Sequence, residues 1–283
     1  MKLNVGQKIS IWYMSFMLAF WLALVFTHTT SGTYNYTFSF LMSLLPFLGG
    51  LVAMWNSKGW KGMKGFVNKG IFFLGLGIFC WGSGELIWSY YNFFMSVPAP
   101  YPSLADLGFA PSVLFYCIGV VYLARAAGAD FGLRRKSTKF FAVVVPIVMF
   151  FVSYYFLVTV ARQGVLVTSG DPIIKTILDI AYPLGDFVSL TLAIVISGLS
   201  FKFLIKEYKY AIFSILAGIA VMFFADLIFS YTTTIGTYFN ADFGDLIFTA
   251  SLFLLTFGLL GFCGSRENNQ EQGLHVFKFL WYS

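Results

Sequence analysis

Charge is what this 283-residue chain has least of: Asp, Glu, Lys and Arg make up 11% of it, against 59% hydrophobic residues. Soluble domains carry about 25% charged residues, so a water-exposed globular surface is excluded and the composition is that of a polytopic membrane protein. Cysteine is nearly missing. Cys80, Cys117 and Cys263 stand at unrelated spacings, which supplies neither a disulfide framework nor a zinc site. The two histidines, His28 and His275, are isolated. The chain has no Gly-rich phosphate loop, no His-x-Glu or Cys-x-x-Cys spacing and no nucleophile elbow, so the common catalytic signatures are absent. The expectation is a protein that is not an enzyme and needs no cofactor. Nucleic acid is not an expected partner either, because the net charge of +6 is spread over alternate loops in the manner of membrane orientation.

What is present in abundance is apolar length. Runs of about 20 residues, enough for a helix to cross the hydrocarbon core, lie near 9–27, 37–55, 70–92, 105–126, 139–161, 173–200, 208–233 and 244–263. The expected fold is therefore all-α: a polytopic bundle of eight transmembrane helices in one domain, 1–263, followed by a short tail, 264–283. The first run is too long for a signal-peptide core and lacks a small-x-small cleavage site, so it is expected to remain as the first span. Lys58, Lys61, Lys64 and Lys69, then Arg125, Arg134, Arg135, Lys136 and Lys139, then Lys202, Lys206 and Lys209 occupy alternate connections. That asymmetry predicts a cell-membrane protein with both termini in the cytoplasm. Arg162 and Lys175 are the exceptions on the other side. Asn35-Tyr36-Thr37 is a glycosylation triplet on that outer side. The tail, mildly amphipathic near Leu274–Trp281, is expected to lie on the membrane surface or against a partner subunit.

The chain contains an internal duplication. Glu85-Leu86-Ile87-Trp88-Ser89-Tyr90 returns as Asp226-Leu227-Ile228-Phe229-Ser230-Tyr231 at an offset of 141 residues, and Asp106-Leu107, Phe109, Ser112 and Gly119 return as Asp245-Leu246, Phe248, Ser251 and Gly258 at an offset of 139. Four spans per half, about 1–126 and 139–263, give two parallel halves related by an axis along the membrane normal. Equivalent helices then meet near the centre, and Glu85 and Asp226 are expected to approach each other.

Three carboxylates, Glu85, Asp186 and Asp226, sit inside otherwise apolar spans. An acid near the middle of a spanning helix costs roughly 2.5–3.5 kcal/mol on insertion scales, so each needs a partner or a task. Asp179, Tyr182 and Asp186 share a helical face, as do Trp81, Glu85, Trp88, Ser89 and Asn92, and Asp226, Ser230 and Thr233. These stripes should face the bundle, because lipid offers them no hydrogen bonds. Three roles stand open: coordination of a metal cation, with further oxygen ligands; an acid and aromatic pocket for an organic cation, using Tyr90, Tyr182, Tyr231 and Trp88; or protonated carboxyls bonding helix to helix. Asp106 and Asp245 fit a capping-box pattern, after Ser103 and Asp242, at the starts of their helices, which makes them helix caps or the rim of such a site.

Pro102-Ser103-Leu104-Ala105-Asp106-Leu107, Ile177-Leu178-Asp179-Ile180-Ala181-Tyr182-Pro183-Leu184-Gly185-Asp186, and Ala225-Asp226-Leu227 with Gly236-Thr237-Tyr238 carry a resemblance. Over roughly residues 70–262 the chain resembles a multi-span prokaryotic membrane module that stands before diguanylate cyclase or histidine kinase domains. The resemblance implies sensing of something in or outside the membrane, here without an output domain. A stand-alone version is then expected to bind a small cationic or polar ligand, or to serve as a subunit of a membrane complex. Two other classes remain: a transporter or ion pathway, and an intramembrane aspartyl protease. Gly244-Asp245 and Gly185-Asp186 resemble part of a Gly-x-Gly-Asp motif, with Asp226 as the second acid, but Asp242 and Pro183 replace the first Gly.

Overall fold

The computed structural model describes residues 3–58, 65–95, 99–126, 136–167, 169–200 and 209–262. The tail, Cys263, Lys61, Lys64, Arg134, Arg135, Lys202 and Lys206 lie outside the described residues. Within them the chain is all-helical: α1 (Val5–Phe26), α2 (Thr33–Ser57), α3 (Phe66–Tyr90, continued by a wide π-helical turn over Tyr91–Met95), α4 (Asp106–Ala126), α5 (Lys136–Ser153, continued as π-helix over Tyr154–Ala161), α6 (Ile173–Ser200), α7 (Lys209–Thr234) and α8 (Phe243–Gly261). All eight are long and apolar enough to cross a membrane. The protein is an all-α polytopic bundle.

Local chemistry sets the ends more tightly than hydropathy does. Helix α1 begins at Val5 rather than Ile9 because Asn4 and Gln7 form a reciprocal capping box, Asn4 Oδ1 accepting from the Gln7 N–H at 2.8 Å and Gln7 Oε1 from the Asn4 N–H at 3.3 Å. This satisfies two of the orphan donors of the first turn. Asn4 Nδ2 then donates to the Leu260 carbonyl at 2.6 Å, stitching the start of α1 to the end of α8.

The tightest contacts are α3 with α4, α2 with α3, and α7 with α8. Small residues permit them, as expected where lipid supplies no hydrophobic drive between helices. A Cβ on Gly119 would lie 2.9 Å from the Leu74 nitrogen and 3.1 Å from the Gly70 carbonyl; one on Gly258 would lie 3.1 Å from the Ile215 nitrogen and 2.7 Å from the Ala211 carbonyl. These are matching positions of the duplicated blocks, so the α3–α4 and α7–α8 hairpins pack alike. Helix α4 also packs on α6, and α8, at the corresponding place, on α2.

The ends of the bundle differ in character. Lys58, Lys69, Arg125, Lys139 and Lys209 stand at the end where α1, α3, α5 and α7 begin. There Lys58, Lys69 and Arg125 lie over the rings of Trp55, Tyr122 and Phe66. Among the described residues the acids gather toward the other end.

One expectation fails on burial. Asn35 is 0% exposed, inside α2, and its Nδ2, the atom a glycan would join, donates to the Thr29 carbonyl at 3.1 Å and the Asn240 carbonyl at 2.8 Å. The triplet fits glycosylation in sequence alone; in the folded chain its amide is a structural donor.

Candidate functional site

A cavity of about 730 Å³ opens at the end where α3, α5 and α7 finish. The polar stripes line it, with the exception of Ser89, which is buried away from it. Glu85 and Trp88 come from α3, Asp179, Tyr182 and Asp186 from α6, Asp226 from α7, and Asp106 and Asp245 from the first turns of α4 and α8. Six carboxylates therefore face the space, against two cations, Arg162 and Lys175. Among the described residues no group of three His, Cys, Asp or Glu side chains has metal-holding geometry.

The acids are not equivalent. Asp186 and Asp226 both line the cavity and act on one another across the α6–α7 contact. Two carboxyls so placed bond only when one holds a proton, as in the paired acids of aspartic proteases. The acid that acts most directly on Glu85 is Asp245. The expected meeting of Glu85 with Asp226 is thus replaced by two separate acid pairs in one cavity. The reason is that α6, whose acid has no counterpart in the duplicated blocks, packs against α7 and supplies Asp226 with a nearer carboxyl.

Asp106 and Asp245 are both caps and rim. Asp106 Oδ2 accepts the Ser103 N–H at 2.7 Å, as a capping box requires, while its Oδ1 accepts the Tyr182 hydroxyl at 2.6 Å. Asp245 Oδ2 accepts the Ala241 N–H at 2.7 Å, one residue before the cap Asp242, whose own Oδ1 takes the Asp245 N–H at 3.1 Å. That bond holds Ala241 at φ 67, a left-handed conformation that costs a non-glycine residue about 1 kcal/mol or more.

Asp179 is tied on three sides. Arg162 Nη1 donates to its Oδ1 at 3.0 Å and to its backbone carbonyl at 3.1 Å, and the Tyr101 hydroxyl donates to Oδ1 at 3.1 Å. Burial and then the Asp179 charge push the Tyr101 phenol above its usual range, so it stays protonated and donates. Burial, followed by the Asp245 charge, does the same to Tyr238. Lys175 is bound to Asp171 at 2.8 Å.

Tyr90 and Tyr231 are corrections. Neither lines the cavity; they are 53% and 43% exposed on the outside of the bundle, and Tyr90 stacks on Phe94 at 5.3 Å. Each stands five positions after its acid, about 140° round the helix, so repetition in sequence marked them without placing them on the acid's face. The aromatic wall is made instead by Trp88, Phe229 and Tyr238, whose rings meet edge to face with centroids 4.9–6.2 Å apart.

The residue that organises the mouth gave no signal in the sequence. Asn240 Oδ1 accepts from Trp88 Nε1 at 3.0 Å, Ser39 Oγ at 3.2 Å and Asn92 Nδ2 at 3.3 Å. It pins the 235–242 connection across α2 and α3. Asn240→Ala leaves three donors without their acceptor, so it is expected to cost about 2 kcal/mol and to raise hydrogen exchange in residues 235–242, measured by mass spectrometry on the reconstituted protein.

Comparison with family models, with curated proteins and with solved structures finds no match to this chain. Its chemistry is read from the cavity alone. A cavity open at one end, with acidic groups in excess and aromatic walls, is matched to a positively charged occupant: the rings offer their negative faces, and the buried acids offer acceptors already largely desolvated.

Proposed function

We propose that the protein is a membrane-embedded binding protein for a small organic cation, acting as a sensor or as the ligand-binding subunit of a larger membrane assembly. The observation that carries this reading is the excess of carboxylates over cations in one aromatic-walled cavity, with both cations already held by acids. The cation-rich opposite end supports an orientation in which that end faces the cytoplasm and the cavity the exterior. Binding rather than catalysis is the role proposed. The test uses the full chain in lipid nanodiscs with 2-phenylethylammonium and, as a size-matched anion, 3-phenylpropionate. The ammonium is expected to raise the melting temperature by several degrees and the anion to leave it unchanged. Asp226→Asn and Glu85→Gln are each expected to reduce that rise. A rise with the anion, or with neither probe, overturns the reading.

A second reading rests on the Asp186–Asp226 contact. Paired acids sharing one proton are the working parts of an aspartyl protease, and these two act on one another in one cavity. Cleavage of a helical peptide in the same nanodiscs, abolished by both Asp186→Asn and Asp226→Asn, decides for it. Retention of ammonium binding without any cleavage decides against it.

A further inference from the structure

The cavity contains a polar group to which neither reading gives a use. Tyr116 of α4 lines it, is 2% exposed, and its hydroxyl has no hydrogen-bond partner among the described residues. A buried phenol ordinarily finds one. Ser112 Oγ is close enough to act on it, but outside hydrogen-bonding geometry, and its own proton is committed to the Phe109 carbonyl at 2.6 Å. The position is enforced by packing. The Tyr116 ring lies against Gly77 of α3, where a Cβ would come within 2.6 Å of ring carbon Cδ1. At the matching place in the other hairpin, Leu255 lies against Gly218, so only one side of the duplication carries a hydroxyl here. The charge that acts on the Tyr116 phenol is that of Asp226, the same acid that faces Asp186.

We propose that Tyr116, Asp226 and Asp186 form a headgroup subsite for a primary or secondary ammonium, an ion with N–H bonds to donate, in preference to a quaternary one. The proposal rests on the organic-cation reading and deepens it. The acid pair with its single proton carries one negative charge, which one ammonium neutralises. The ammonium N–H groups donate to the free carboxylate oxygens and to the lone pair of the Tyr116 hydroxyl, supplying the partner that the protein withholds. The carbon skeleton then lies along Trp81 and Phe109, whose ring centroids are 5.3 Å apart on the cavity wall. A quaternary headgroup has no proton to give. It leaves the hydroxyl unpaired and keeps only the charge attraction of the acid pair and the cation–π attraction of the rings.

The experiment is calorimetric titration of the full chain in nanodiscs with 2-phenylethylammonium and with its N,N,N-trimethyl derivative. The primary ammonium is expected to bind at least about tenfold more tightly, the margin of one charge-assisted hydrogen bond. Tyr116→Phe is expected to bring the two affinities within about threefold, by weakening the primary ammonium while leaving the quaternary one within about twofold. Removal of an unsatisfied hydroxyl should leave the unliganded melting temperature unchanged or higher. Asp226→Asn, which removes charge rather than the hydroxyl, is expected to weaken both probes together. Equal affinity for the two ammonium ions, or a Tyr116→Phe protein with the original preference, overturns the subsite while leaving the organic-cation reading in place. Failure of both ions to bind overturns that reading itself.

Discussion

Arg162→Ala is expected to lower the stability of the protein by about 3 kcal/mol, measured by equilibrium unfolding in mixed detergent micelles. The size follows from what the guanidinium leaves behind. Asp179 is 7% exposed, and removing one member of a buried ion pair costs about 3–5 kcal/mol, because the other charge stays buried without compensation. Pro183 increases the loss. It has no N–H, so the Asp179 carbonyl four residues earlier has no helical donor, and Arg162 Nη1 fills that vacancy at 3.1 Å while also holding the carboxylate. One side chain thus satisfies two acceptors of one residue. Arg162→Lys keeps the charge but not the planar fork, and is expected to lose about 1 kcal/mol. Adding Asp179→Asn to Arg162→Ala is expected to recover roughly half of the loss, since no buried charge then remains. An Arg162→Ala protein of unchanged stability would mark the pair as a solvated contact worth under about 1 kcal/mol.

That cluster illustrates what the chain disclosed before folding. Arg162 and Lys175 stood out in the sequence only as exceptions to the alternation of cationic loops. The fold gives each a local acid, Asp179 and Asp171. The eight spans were readable because hydropathy over 20 residues is an averaged quantity, and the bilayer imposes the average. The acid stripes were readable because lipid forbids the alternative. Partner choice was not readable. Whether Asp226 meets Glu85 or Asp186 depends on how α6 leans against α7, a question of helix packing that a period of 3.6 residues does not address. Asn240 was invisible on different grounds. It lies in a connection, and its value comes from three donors on two distant helices, Ser39 on α2 and Trp88 and Asn92 on α3 with its terminal turn. Tyr116 was hidden among apolar residues because a lone tyrosine in a span is ordinary until its hydroxyl is found without a partner.

Gly108→Ala is expected to be at least as damaging as Arg162→Ala, at about 3 kcal/mol or more. A methyl group there would sit 2.5 Å from both the Cys80 carbonyl oxygen and the Gly84 nitrogen, and 2.7 Å from the Gly84 Cα. Overpacking ordinarily costs about 1–3 kcal/mol because side chains shift to absorb it; here the obstacles are backbone atoms of α3, which no rotamer change can move. The helices must separate instead. Since Gly108 stands two residues after Asp106, separation also shifts the α4 acid relative to Glu85 and Trp88 on the α3 wall of the cavity, so binding of the ammonium probe should weaken together with stability. Gly198→Ala supplies the contrast. Its new methyl meets only the Phe141 ring, 2.6 Å from Cε1, at an exposed position of α6 where the ring can swing aside and alanine favours the helix. A loss below about 1 kcal/mol is expected there. If the two substitutions cost the same, the α3–α4 contact is more yielding than its backbone distances require. The cavity would then owe its shape to the acid caps and the Asn240 hub rather than to the close approach of these two helices.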